Sequence, residues 1–323
     1  MKKTFFIIGL GKMGGNIAIQ ASEKDYTVYG YDTQGMDQSI KQKGVKELSE
    51  LEKITSLDEG PRIVFLYVPA GIVVDKVINQ LKDILEPGDI LVDGGNSYWG
   101  DSINRYERLK KAGIHFIDCG TSGGITGARN GACFMAGGEK EAITMIEPIL
   151  KSLSVEGGYT HTGPPGSGHF VKLVHNGIEF GMLQAIGEGI DLLTHYNQKL
   201  DIPEVLSCWR HGSVIRSWLV DLMHEVYKDK NGLDTIPSYV EDTGEVNWLV
   251  NDAMNMEVST PVIAQSVMQL IASRDDENRW AKAIAMMRHG FGQHPFGPDE
   301  SIAKEREEGR LSMHQEGFTK DEE

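Results

Sequence analysis

The sequence predicts an α/β protein: a parallel sheet covered by helices on both faces, followed by an all-helical domain. Three observations carry this. Short β-rich runs alternate with helical periods through about residue 165. A glycine triplet, Gly9-x-Gly11-x-x-Gly14, closes the first run and opens the first helix. After the cluster Gly163-Pro164-Pro165-Gly166-Ser167-Gly168, strand signals nearly vanish.

In chain order, residues 4–8 are β-branched and aromatic and read as the first strand. Ile17, Ala18 and Ala21 then give a helical face, and residues 26–31 a second strand. Residues 62–68, 89–92, 114–118 and 132–136 are further apolar runs of strand length. Residues 72–85, 102–111 and 140–153 have helical spacing between them. Beyond residue 168 the chain reads as helices, broken near Asn231-Gly232 and at the Pro237 and Pro261 turns. The implied boundaries are a sheet domain over 1–165, a helical domain over 166–296, and a charged tail over 297–323 suited to solvent or a partner. No internal repeat is visible.

A chain of 323 residues suits two ordinary domains, and 40% hydrophobic with 24% charged residues is enough for a sizeable core. No apolar run approaches the ~20 residues of a membrane span. The opening Met1-Lys2-Lys3 superficially suggests a secretion signal, but its apolar run is short and leads straight into a glycine turn. It reads as a strand, and the chain as cytoplasmic. Cys119, Cys133 and Cys208 have no ligand spacing and read as small buried residues in a reducing compartment. The net charge of −15 argues against nucleic acid or anionic membranes as partners. An anionic ligand would need a local basic pocket.

The glycine triplet stands where a dinucleotide fingerprint must, between strand and helix. Gly9 allows the tight turn, Gly11 lets backbone approach a pyrophosphate, and Gly14 lets the helix pack close. The helix N-terminus offers its N–H groups to phosphate. Asp32 follows the second strand, 23 residues after Gly9. Its carboxylate can accept from a ribose 2′-hydroxyl and would repel a 2′-phosphate, and no arginine follows in Asp32-Thr33-Gln34. This predicts NAD rather than NADP. Three glycine-bearing loops follow strand ends: Val68-Pro69-Ala70-Gly71, Asp93-Gly94-Gly95-Asn96-Ser97 and Gly120-Thr121-Ser122-Gly123-Gly124. Each alone is an ordinary turn. Together they fit a crevice beyond the strands' carboxyl ends, with Asn96 and Ser122 near a nicotinamide.

Lys172, His175, Asn176, Glu179 and Phe180 fall at i, i+3, i+4, i+7 and i+8, one face of a helix. Phe170, Val171, Val174 and Ile178 are expected to bury the opposite side. The polar stripe reads either as an active-site wall or as an exposed face in which Lys172 and Glu179 share charge.

Four blocks together resemble the signature segments of 6-phosphogluconate dehydrogenases, in the short bacterial form. They are Gly9-Leu10-Gly11-Lys12-Met13-Gly14-Gly15-Asn16, Asp93-Gly94-Gly95-Asn96-Ser97, Ser122-Gly123-Gly124, and the run from Gly168 to Glu179. The resemblance extends in order to about Pro295. It implies a Rossmann domain binding NAD through the glycine turn and the Val68-Pro69-Ala70 and Asn96 loops. It implies a helical dimerisation domain, and oxidative decarboxylation of a gluconate carrying an anion at C6. Lys172 becomes the base and Glu179 the acid. Asn96, Ser122, Gly123, Gly124, His175 and Asn176 hold the substrate. Arg288 and His294 reach across a homodimer to its C6 group. Chemically, Lys172 must be neutral before hydride transfer and Glu179 protonated at the last step. A ketone at C3 is its own electron sink for loss of CO2, and the sequence offers no convincing metal site.

Departures from the pattern cluster at the C6 positions. Phe180 stands where the family has tyrosine, Asn247 where a cation precedes Trp248, and Leu270 where an arginine precedes Ser273-Arg274. Arg274 is a candidate to compensate. By family frequency 6-phosphogluconate is the leading substrate; because a phosphate brings nearly two charges and three acceptor oxygens, which a site without these donors would hold poorly, the monoanionic 6-deoxy-6-sulfogluconate is the runner-up. A non-decarboxylating β-hydroxyacid dehydrogenase and a non-catalytic NAD sensor are the remaining readings.

Overall fold

In the computed structural model, which describes residues 4–303, the first part of the chain runs β1 (Thr4–Ile8), α1 (Lys12–Glu23), β2 (Thr27–Tyr31), α2 (Gln38–Gln42), β3 (Lys46–Glu47), α3 (Ile54–Leu57), β4 (Ile63–Leu66), α4 (Ile72–Lys82), β5 (Ile90–Asp93) and α5 (Trp99–Lys110). It continues through β6 (His115–Ser122), α6 (Gly124–Asn130), β7 (Ala132–Gly137), α7 (Lys140–Leu153) and β8 (Ser154–Gly163). Helices follow: α8 (Ser167–Thr194), α9 (Ile202–Gly212), α10 (Trp218–Lys230), α11 (Glu245–Asn255), α12 (Pro261–Ala272) and α13 (Arg279–Gly292). This is the expected Rossmann-like sheet followed by helices.

One sheet orders its strands β3-β2-β1-β4-β5-β6-β7-β8. Alternate side chains of each strand point to opposite faces, so β1 feeds two cores. Phe5 and Ile7 pack with Ile17, Ala18 and Ala21 of α1 and with Ile146 and Leu150 of α7. Phe6 and Ile8 pack with Val74, Ile78 and Leu81 of α4 and with Tyr106 and Leu109 of α5. Burial on both faces explains why β4 and β5 are unbroken apolar runs.

Two features depart from expectation. The sheet is not wholly parallel, because β7 runs antiparallel to β6. Only residues 123–131 connect them, too few for the crossover of a dozen or more that parallel strands need. Strand β8 gave no sequence signal: it is a largely exposed edge, glycine-bearing and irregular in register against β7.

The structure divides into two compact units. The first comprises the described residues through Ile178 together with Gly244–Ser259, and the second Glu179–Thr243 and the described residues from Thr260 on. In the second, Ile190, Ile202, Leu206 and Val220 form the core beneath Trp209, Met223 and Tyr227. Asp201 and Ser217 accept from backbone N–H groups and start α9 and α10, and Asn231 in the left-handed region stops α10. Of the predicted tail 297–323, residues 304–323 lie outside the described residues. Among the described residues no helix is long and apolar enough to cross a membrane. No group of three or more His, Cys, Asp or Glu among them could hold a metal. Cys119 is buried, but Cys133 and Cys208 are exposed, which corrects the expectation for those two.

Candidate active site

The glycine turn has the shape a dinucleotide needs. Gly9 has φ +92°, and a Cβ there would lie 2.3 Å from the Tyr67 carbonyl oxygen. At Gly11 a Cβ would meet nothing within 4 Å, leaving open space before α1. The first turn of α1 holds no acidic residue, so its N–H groups suit phosphate. Leu10, Lys12 and Met13 complete this turn, and Val68, Pro69 and Ala70 follow β4. Asp32 lies just beyond β2. Its Oδ2 accepts from the Leu10 N–H at 2.8 Å and its Oδ1 from the Gln34 N–H at 2.9 Å. The carboxylate that would read a ribose therefore also shapes the loop.

On α8, the structure reverses the expected burial. Asn176 is only 4% exposed, whereas Val171 is 38% and Ile178 54% exposed. The polar stripe is the inner face in the first unit, because its groups find partners on the strand-end loops. Lys172 Nζ donates to Asn176 Oδ1 at 2.5 Å and lies 3.3 Å from His175 Nδ1. His175 Nδ1 is 3.2 Å from Asn176 Oδ1, and its Nε2 is 3.1 Å from Ser122 Oγ. Asn176 Nδ2 donates to Asn96 Oδ1 at 3.4 Å and to Glu245 Oε1 at 3.4 Å. If His175 Nδ1 accepts from Lys172, its proton lies on Nε2 toward Ser122 Oγ; if Nδ1 donates to Asn176 Oδ1, Nε2 accepts from Ser122 Oγ.

Backbone packing sets this geometry. Asp118 of β6 is fully buried and accepts the Gly166 N–H at 2.7 Å and the His169 N–H at 2.8 Å, pinning the start of α8. Burial raises its carboxyl above the ordinary range, while the neighbouring His169 and those N–H groups pull the other way. His169 Nδ1 and Ser102 Oγ of α5, 2.7 Å apart, add a second tie. Where α8 crosses β6, a Cβ on Gly168 would lie 2.2 Å from the Asp118 carbonyl oxygen. The Asn96 loop is shaped by Asp93, which accepts from the Gly95 N–H at 3.1 Å and from Ser97 Oγ at 2.7 Å. Gly123 and Gly124, both at positive φ, turn the chain from Ser122 into α6.

Glu179 is carried by α8 and is the residue at which the second unit begins. Arg288 and His294 meet within that unit on the wall of a cavity of about 290 Å³, which Asp299 shares. Arg274 of the same unit is held by Asp242 at 3.1 Å and Glu241 at 3.5 Å. Two residues of the first unit escaped sequence reasoning. Asp118 looked like the last residue of a strand, and Glu245 touches a residue 69 positions away; no local pattern signals either.

Residues 4–163 match the NAD binding domain of 6-phosphogluconate dehydrogenase, and residues 168–308 match the 6-phosphogluconate dehydrogenase C-terminal domain. The chain belongs to the 6-phosphogluconate dehydrogenase family. Bacillus subtilis YqeC is 43% identical over 289 residues, covering 89% of this chain and 97% of that protein. The NAD(+)-dependent, decarboxylating 6-phosphogluconate dehydrogenase of Haloferax volcanii is 34% identical, covering 89% and 96%. A Plasmodium falciparum 6-phosphogluconate dehydrogenase structure superposes with TM-score 0.76 at 27% identity, covering 94% of this chain and 68% of that one. A Mycobacterium tuberculosis 3-hydroxyisobutyrate dehydrogenase, at 18% identity and TM-score 0.69, shares the fold. As a 6-phosphogluconate dehydrogenase family member, this chain is an oxidoreductase with an N-terminal nicotinamide-dinucleotide domain.

Proposed function

We propose that this chain catalyses the NAD-dependent oxidative decarboxylation of 6-phosphogluconate to ribulose 5-phosphate and CO2, as a cytoplasmic homodimer. The observation that carries the reading is the cluster of Lys172 with Asn176 at 2.5 Å and His175 at 3.3 Å, backed by Ser122. An aldonate needs a base at its 3-hydroxyl and several donors and acceptors for its other oxygens, and this cluster offers both. NAD, when bound, supplies the hydride acceptor. Lys172 takes the 3-hydroxyl proton as C3 becomes a carbonyl, then donates to that oxygen. The C1–C2 bond breaks, its electron pair moves toward the C3 carbonyl, and CO2 leaves. Glu179 protonates the carbon that becomes C1 of the pentulose. His175, Asn176, Asn96, Ser122, Gly123 and Gly124 hold carboxylate and hydroxyls, and Arg288 and His294 take the C6 group.

Asp32 supports NAD, since a carboxylate at the end of β2 opposes a 2′-phosphate. The dimer is supported by α13, which buries no residue although it carries Trp280 at 63% and Phe291 at 77% exposure. The decisive assay is NADH formation with CO2 release from 6-phosphogluconate, and its loss in Lys172→Ala. NADH without CO2 would point to a plain β-hydroxyacid dehydrogenase instead.

A second substrate is favoured by one observation. Arg274, the cation that could replace the missing donors, is ion-paired with Asp242 and Glu241, while Phe180, Asn247 and Leu270 contribute no positive charge. A singly charged sulfonate demands less of such a site. On this reading 6-deoxy-6-sulfogluconate yields 5-deoxy-5-sulfopentulose. Comparing kcat/KM for the two substrates decides between them.

A further inference from the structure

We infer that Glu245 is a positioning residue for Lys172, acting through the side-chain amide of Asn176; this deepens the reading just given and rests on it. An amide has two unlike ends. Oδ1 of Asn176 receives Lys172 Nζ at 2.5 Å, and Nδ2 lies 3.4 Å from both Asn96 Oδ1 and Glu245 Oε1. Flipping the amide would set NH2 against the lysine's donors and a carbonyl against a carboxylate. Asn96 alone does not forbid the flip, because its own amide can turn with its neighbour. A carboxylate offers only acceptors whichever oxygen faces the amide. Glu245 is thus the partner that fixes which end of Asn176 meets Lys172.

The fold delivers Glu245 deliberately to this place. It is the first residue of α11, after Gly244 in the left-handed region. Val246, Leu249 and Ala253 bury one side of that helix. Asp252, two turns on and on the same face, accepts from Tyr98 Oη at 2.9 Å and Trp99 Nε1 at 2.7 Å. Tyr98 and Trp99 closely follow Asn96 in sequence. One frame therefore holds both acceptors of Asn176 Nδ2: the far end of α11 is bolted beside Asn96, and its near end reaches Asn176.

The test is steady-state kinetics with NAD and 6-phosphogluconate on Glu245→Ala, Glu245→Asp and Glu245→Gln, and on Glu245→Ala combined with Asn176→Ala. Glu245→Ala should lower kcat roughly tenfold or more, the effect of one charge-assisted hydrogen bond, with KM for NAD within about twofold. Glu245→Asp, a methylene too short, should fall in the same sense and serves if the alanine variant does not fold. Glu245→Gln, whose amide can turn with its neighbour as that of Asn96 can, should lose kcat in the same sense, and wild-type kcat there would overturn the inference. Added to Asn176→Ala, Glu245→Ala should cost nothing more. An unchanged kcat in both shortened variants, or additive losses in the double variant, would overturn the inference. If the unmodified protein turns over no substituted gluconate, the reaction fails rather than the contact. The same cycle read by thermal unfolding then decides: non-additive Tm shifts support the Glu245–Asn176 link, and additive ones reject it.

Discussion

A Cβ built on Gly120 would lie 2.4 Å from the Cβ of Lys172 and 2.9 Å from its Cγ. The strand and the helix that carries the amine touch backbone to side-chain root, so the height of Lys172 above β6 is set by the absence of a side chain at residue 120.

Gly120→Ala should therefore push α8 outward at Lys172. Overpacking at such a contact costs about 1–3 kcal/mol of stability. A displacement near 1 Å at a reacting group costs roughly 100-fold in rate. Kinetics beside thermal denaturation check this, with NAD affinity expected to stay near that of the unmodified protein. Wild-type kcat in the variant would show that the approach has slack.

Asp118→Asn removes an acceptor from one of the two N–H groups at the start of α8 and should destabilise the fold by about 1–3 kcal/mol. The pH dependence has a definite sign. Burial raises the Asp118 carboxyl above the usual 3.8, so the folded state holds this proton more readily than the unfolded chain. Its contribution is full below that usual value and declines as pH rises through the raised folded value. The Tm advantage over Asp118→Asn should shrink along that rise. A flat difference would contradict the assignment.

Asp32→Ala should narrow the preference for NAD over NADP by relieving repulsion of the 2′-phosphate. It should also weaken NAD binding itself, since Leu10 N–H loses its acceptor at 2.8 Å. Titrating both dinucleotides separates the two effects. Equal efficiency of NAD and NADP in the unmodified enzyme would remove the argument.

Replacing Trp280 and Phe291 together by glutamate should convert the proposed dimer to a monomer and abolish turnover if Arg288 and His294 serve the partner's site. Light scattering reports the first and kinetics the second. A monomer with full activity would show that each chain completes its own site.

Much of this protein is legible locally. A run of β-branched and aromatic residues identified β1, apolar runs identified β4 and β5, and the glycine triplet identified the dinucleotide turn. The spacing of Lys172, His175 and Asn176 placed them on one face because helical period alone determines that. Which face turns inward was not local. Val171 and Ile178 are the exposed ones, since burial depends on what the helix meets, and α8 meets polar strand-end loops. The same holds for β7, whose direction follows from the short connection through α6, and for Glu245, which meets Asn176 from a helix tied to Tyr98 and Trp99 through Asp252. By itself the sequence determined the periods and the chemical groups. Their partners were decided by tertiary packing, because contacts between distant segments leave no trace in the spacing of either one.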